Sequence, residues 1–218
     1  MRRRVLCMVL ALVMVCLWYV IAEGNNNLVI NPSFEADDGS GSPTDWKVDV
    51  SAPILIGMNV TDEVAASGDK SLMTIFKAAA LGEPKIGVTS MQYVNVEPNK
   101  VYKVSFKYQK KDVVAERSRI LMLELCKEEN GTWERIIYTE PPIMWDHDLS
   151  GEWSDQGYRV VMLDSKVSED HGEWKESWVV IKTTEETSAI ALSFAITVWK
   201  LYKPGKIYFD DVVITQIQ

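Results

Sequence analysis

The chain has 218 residues, a formal net charge of −8 and 47% apolar residues, eight of them tryptophan. The length suits one domain, or one domain with additions, and the apolar content suffices for a core. An acidic chain without a basic stripe repels phosphate backbones, which excludes nucleic acid as a partner.

The first element is a targeting segment. Arg2, Arg3 and Arg4 form a basic region, an apolar run over residues 5–22 follows, and Val20-Ile21-Ala22 supplies a signal-peptidase pattern with cleavage after Ala22. The run is also close to spanning length, so an uncleaved anchor with its basic end in the cytoplasm is the alternative. Contact with a membrane is expected only through residues 5–22, if they are uncleaved. Either way, the chain from about Glu23 onward is expected outside the cytoplasm, secreted or tethered. Without the leader, 20 basic residues stand against 31 acidic ones, a net −11. Cys7 and Cys16 belong to the leader, which leaves Cys126 alone. No internal disulfide can form, and the domain must be held by its core, with or without a metal.

The remainder reads as strands and turns. Residues 101–108 alternate apolar and polar, which directs Tyr102, Val104, Phe106 and Tyr108 into a core. Residues 92–96 alternate similarly, and with the Pro98-Asn99 turn the two segments read as a hairpin. Residues 120–126 form a mostly apolar strand that ends at Glu128-Glu129-Asn130-Gly131, where Asn-Gly supplies the positive φ angles of a tight hairpin. Residues 139–172, rich in Pro, Gly and acids, read as a long loop or extra hairpin inserted between core strands. Residues 174–181, 189–199 and 207–217 complete the set, the last after the Pro204-Gly205 turn. Short strands with regular turns and no convincing helix indicate an all-β sandwich or barrel.

Five motifs in order carry a resemblance. Asn27-Leu28-Val29-Ile30-Asn31-Pro32-Ser33-Phe34-Glu35 is followed by Trp46. Ser67-Gly68-Asp69-Lys70-Ser71-Leu72 comes next, then Gln92, Pro98, Tyr102, Val104 and Phe106. Trp174 opens a fourth block, and Ile207-Tyr208-Phe209-Asp210-Asp211-Val212 closes the series. Together they resemble the family 4/9/22 group of carbohydrate-binding modules over most of residues 27–217. The resemblance implies a galactose-binding-like jelly-roll β-sandwich over residues 25–218, interrupted by the 139–172 insertion. It implies polysaccharide or oligosaccharide binding without catalysis, and a structural Ca2+ held by Glu35 and Asp210. Parity argues for the metal independently: Asp210 shares it with Val212 and Ile214, so its carboxylate is expected on the core face. There it is costly unless paired or bound to a metal. Carbonyls near residues 67–70 would complete the oxygen set. The plainer alternative leaves both acids at exposed strand ends or paired with Lys70.

Sugars bind through aromatic faces and polar side chains. On strand 189–199, Ile190, Leu192, Phe194, Ile196 and Val198 take the core face. The opposite face carries Ala189, Ala191, Ser193, Ala195 and Thr197, then Trp199. Small residues ending in Trp make a shallow floor. The outward face of strand 101–108 offers Lys103, Lys107 and then Gln109, and the strand beyond 120 offers Glu124. These residues are expected to share one groove with Trp199, walled by Trp145, Trp153 and Tyr158 of the insertion. The plainer alternative is that the small residues relieve crowding under the insertion. Trp46, Trp174 and Trp178 are assigned to the core.

For catalysis, Asp146-His147-Asp148 and His171 read as hydrophilic loop, and no nucleophile elbow, zinc spacing or phosphate loop is present. Asn59-Val60-Thr61 and Asn130-Gly131-Thr132 are sequons that matter only in a glycosylating cell. Two rival functions follow: a structural or adhesive surface protein using the same sandwich for protein contacts, and a glycoside hydrolase or lyase with acids converging in the groove.

Overall fold

The computed structural model describes residues 27–50, 56–78, 86–136, 143–145, 149–154, 157–164 and 172–218. The leader, His147 and His171 lie outside the described residues. In chain order the strands are β1 (Lys47–Val50), β2 (Ile56–Thr61), β3 (Ser71–Phe76), β4 (Ile86–Asn95), β5 (Val101–Lys111), β6 (Val114–Glu129) and β7 (Thr132–Arg135). Then follow β8 (Ile143–Trp145), β9 (Leu149–Ser154), β10 (Gly157–Asp164), β11 (Lys175–Lys182), β12 (Ala189–Lys203) and β13 (Lys206–Gln216). They form two antiparallel sheets. The larger has the order β1-β4-β12-β6-β10-β9, with β7 also paired to β6, and the smaller has the order β2-β3-β13-β5-β11-β8.

The expected β-sandwich is therefore the fold, but the chain enters it differently at one point. Residues 92–96 and 101–108 do not form a hairpin. β4 lies in the larger sheet and β5 in the smaller, so the turn at Pro98-Asn99 carries the chain from one sheet to the other. Its geometry is held by the Tyr102 hydroxyl, which accepts the Glu97 N–H at 2.8 Å. The same alternation recurs between β5 and β6, β11 and β12, and β12 and β13. The Asn130-Gly131 turn does make a hairpin, β6–β7, with both residues at positive φ, 53° and 77°. The insertion is divided between the layers. β8 pairs with β11 at the edge of the smaller sheet, while the β9–β10 hairpin extends the larger sheet through β6.

Between the layers, period-two patterning places the core. Tyr102, Val104, Phe106 and Tyr108 are buried from β5, and Ile190, Leu192, Phe194 and Ile196 from β12. Phe194 is the hub. Its ring centroid lies 4.5 Å from that of Phe209, 5.5 Å from Phe106, 5.8 Å from Trp46 and 6.3 Å from Phe34. Trp46 is thus core, as expected. Trp174 and Trp178 are only half-buried. Trp178 pairs with Ser105 rather than with a core-facing residue of β5, so it faces outward.

Truncating Phe194 would empty the point where both sheets and the N-terminal segment meet. Phe194→Ala is expected to cost about 3–5 kcal/mol of unfolding free energy. Urea titration against wild type measures it.

Candidate functional site

The first and last segments are joined along β13. Leu28 N–H donates to the Ile214 carbonyl and Val212 N–H to that of Pro32, at 2.9 and 3.0 Å. Asn27 caps the join: its Nδ2 donates to the Val212 carbonyl and its Oδ1 accepts the Ile214 N–H. A β-bulge interrupts β13 between Asp210 and Val213. Asp211 sits in it at φ 49°, the left-handed region. This corrects the parity expectation for Asp210. Before the bulge, Phe209 pairs with core-facing Tyr108, and Asp210 pairs with Lys107, so Asp210 lies on the outer face. It is fully buried there all the same, because the loop over residues 62–70 covers it.

Glu35 and Asp210 grip that loop at two points. Asp210 Oδ2 accepts the N–H groups of Ala66 and Ser67 at 2.6 and 3.1 Å, and Oδ1 accepts that of Asp211 at 2.7 Å. Glu35 Oε1 accepts the N–H groups of Asp69 and Lys70 at 3.0 and 3.1 Å. Gly68, at φ 62°, leaves the space Glu35 occupies, since a Cβ there would collide with Oε1. Burial raises the Asp210 pKa against the pull of its backbone donors; among the described residues no cation forms an ion pair with it, and Lys107, bonded to Asp211, acts on it only electrostatically. Lys70 does not pair with either acid; it bonds Asp37 at 2.7 Å. Among the described residues no three His, Cys, Asp or Glu side chains converge as a metal cluster. Three of the four carboxylate oxygens thus accept backbone N–H groups, and Glu35 Oε2 has no hydrogen bond among the described residues. Oxygen donors of this kind suit a hard cation.

The outer face of the larger sheet carries a second constellation. Ala191 of β12 lies between Tyr93 of β4 and Glu124 of β6, and Ala189 lies between Asn95 and Cys126. These small residues are buried, but by side chains that lean over them rather than by the core. The rings of Tyr93 and Trp133 stack with centroids 5.5 Å apart and planes at 17°. Beside them Arg135 Nη1 donates to Glu124 Oε1 at 2.5 Å. Tyr93 stays 38% exposed. Cys126 lies under this layer, where burial pushes its thiol up to about 11 and leaves it inert. The arrangement is an aromatic platform with a charged, hydrogen-bonding pair at its edge. Tyr93 and Trp133 were not among the residues expected from sequence. Their signals were an aromatic at the outward parity of β4, and one two residues past the Asn-Gly turn.

The groove expected as a single site is divided. Glu124 lies on this face, and Trp199 lies in the same sheet opposite Arg117. Eight residues separate Trp199 from Ala191, roughly 27 Å along the strand. Lys103, Lys107 and Gln109 lie on the outer face of the other sheet, because β5 belongs to that sheet. There Lys103 Nζ sits over Trp178, 5.6 Å from its ring centroid. Lys107 bonds Asp211 at 2.8 Å, and Gln109 donates to the Gly172 carbonyl at 2.6 Å. Trp153 is paired with Tyr158 in the β9–β10 hairpin of the larger sheet, whereas Trp145 is paired with Val179 in the smaller.

No protein-family model matches the sequence, and no curated protein matches it. Solved structures do. The enzymatically active domain of tailspike protein 4 from bacteriophage CBA120 aligns with 88% of this chain at 9% identity and a TM-score of 0.57. The chain spans only 21% of that protein. A family 61 carbohydrate-binding module solved with β-1,4-galactotriose aligns over 88% of this chain and 99% of its own, at 16% identity and TM-score 0.48. A CBM22-1 xylan-binding domain from Paenibacillus barcinonensis aligns over 86% and 92%, at 16% identity and TM-score 0.48. The fold these comparisons support is the β-sandwich described above. At these identities the likeness is one of fold.

One consequence of the β13 bulge can be measured directly. Burial works to raise the Asp211 pKa, but hydrogen bonds from Lys107, Ser67 and Ser33 outweigh it and hold the pKa below the ordinary value. The bonded carboxylate therefore stabilises the fold above the ordinary aspartate range, and this contribution is lost as pH falls through the depressed pKa. Asp211→Asn is expected to cost about 1–3 kcal/mol near pH 7. The gap to wild type should narrow as melting temperatures are followed below the ordinary aspartate range.

Proposed function

We propose that the protein binds polysaccharide outside the cytoplasm, without cleaving it, on the outer face of its larger sheet. The observation that carries this is the stacked Tyr93–Trp133 pair beside the Glu124–Arg135 ion pair, over a floor of Ala189 and Ala191. Aromatic faces take the C–H surface of a sugar ring, and the charged pair offers donors and acceptors to its hydroxyls. Glu124 is tied to Arg135, an arrangement suited to holding hydroxyls rather than to moving protons. An apolar patch would have favoured protein contacts; the mixture of aromatic and charged groups favours sugar. The leader, as signal or anchor, would present the module at the glycan and raise the local concentration of whatever bears it.

The test is a glycan array with the full chain, including xylan and β-1,4-galactan. Losing an aromatic anchor costs ~2 kcal/mol or more at a hot spot, so Trp133→Ala or Tyr93→Ala is expected to weaken binding at least about tenfold. Trp199→Ala is expected to weaken only chains long enough to reach from one end of β12 to the other. If the wild type binds no glycan, the sugar reading falls and the adhesive one replaces it.

We further propose that Ca2+ is held by Glu35, Asp210 and carbonyls of the 66–70 loop. The support is a buried carboxylate with no ion pair among the described residues, and a second carboxylate bonded to the same loop, where a glycine leaves room for it. The ion would neutralise Asp210 and bind the native state alone, which raises the melting temperature. Chelation is expected to lower it, and Asp210→Asn or Glu35→Gln to abolish the response. An unchanged melting curve in protein shown to be metal-free overturns the proposal.

A further inference from the structure

The outer face of the smaller sheet carries an aromatic that neither the core nor the Tyr93–Trp133 platform uses. Trp178 of β11 pairs with Ser105 of β5, and Ser105 with Val213 of β13, so the three form one cross-strand row. Ser105 is the smallest and stands in the middle, which leaves a depression between the indole and the bulged strand. The flanking rows stand roughly 7 Å away along the strands. They are Glu176–Lys107–Asp210 on one side and Val180–Lys103–Thr215 on the other. The depression is a cavity of about 420 Å3, with Ser105, Lys107, Glu176, Asp211 and Thr215 among its polar walls and Val213 an apolar one.

The charges here are matched. Lys107 bonds Asp211 at 2.8 Å, and Asp210 and Glu176 also act on it electrostatically. With three carboxylates around Lys107, the cavity does not favour an anion. What it leaves open is hydrogen bonding. The hydroxyls of Ser105 and Thr215, the Glu176 carboxylate and the Trp178 indole N–H make no hydrogen bond among the described residues. Glu176 is exposed, and Trp178, Lys103 and Thr215 are half-buried. Donors and acceptors beside an indole are what a neutral pyranose needs: its C–H surface packs on the aromatic face and its hydroxyls find partners. Lys103 Nζ now lies 5.6 Å from the centroid of the Trp178 ring. Such a contact is weak where water reaches it, so the ring can exchange the ammonium for a sugar.

We propose that this depression is a second saccharide site, for one neutral pyranose unit of a polysaccharide, with Trp178 as the stacking face and Ser105, Thr215 and Glu176 as hydrogen-bonding partners. That the ligand is a sugar rests on the polysaccharide-binding reading above; the site itself does not depend on the Tyr93–Trp133 platform. The two sites lie on opposite faces of the sandwich, so one chain holds two polysaccharide strands and cross-links them.

The full chain is titrated calorimetrically with xylohexaose and with β-1,4-galactohexaose, and light scattering is followed on mixing it with soluble xylan or β-1,4-galactan. The wild type is expected to bind two hexaose molecules per chain and to raise the scattering, with excess hexaose reversing it. Trp178→Ala and Trp133→Ala are each expected to keep one site, to weaken the other by about tenfold or more, and to leave the scattering at baseline. Ser105→Leu, which fills the floor and keeps the indole, is expected to behave as Trp178→Ala does, and melting curves check that both variants fold. A single hexaose that Trp133→Ala removes, and that Trp178→Ala and Ser105→Leu leave in place, overturns this site and keeps the platform. A single hexaose lost in Trp178→Ala and Ser105→Leu but kept in Trp133→Ala overturns the platform and keeps this site. Neither hexaose bound by the wild type overturns both.

Discussion

The bulge in β13 is the constraint on which the rest of the molecule depends. One residue, Asp211, takes a left-handed conformation, which costs a non-glycine residue energy, and three side-chain bonds to Lys107, Ser33 and Ser67 hold it there. The extra residue lets Phe209 and Ile214, which differ in parity, both face the core. It also turns backbone groups at Val212 and Ile214 toward the N-terminal segment, so that residues 27–32 dock along the strand. Phe34 and Trp46 then reach Phe194 from that segment, which completes the aromatic core.

The same bulge explains why an aspartate is buried on an outer face. Asp210 emerges on the solvent side of the smaller sheet and is covered by a loop whose N–H groups turn inward to meet it. Tyr208, two residues earlier on that face, is covered by the same loop and donates to Glu63. The loop is therefore held by side chains from the last strand, and by Glu35 from the first segment.

Alternation of successive strands between sheets has a functional consequence. β5 and β12 both have an outward face, but these outward faces lie on opposite sides of the sandwich. One side carries aromatics over alanines, with an ion pair at the edge. The other carries lysines, at one end around a concavity. The sugar site proposed on the aromatic side would therefore lie apart from the lysines of the other.

Much of this was legible in the residues themselves. The period-two runs placed Tyr102, Val104, Phe106, Ile190, Leu192 and Phe194 in the core, because alternation reports directly on which face is buried. Asn130-Gly131 predicted its hairpin, because few residues tolerate positive φ at both turn positions. The motif order predicted the β-sandwich. Local pattern does not say which sheet a strand joins, so Lys103 and Glu124, both correctly read as outward, were assigned to one groove when they occupy opposite faces. Parity also fails silently at a bulge, which is why Asp210 was assigned to the core side. Tyr93 and Trp133 meet across two intervening strands, and no spacing in the chain encodes that. The sequence by itself determined most of the core between the sheets and where the chain turns, since these follow from hydrophobic period and backbone sterics. Only the tertiary structure decided which outward residues share a face, since that depends on long-range strand pairing.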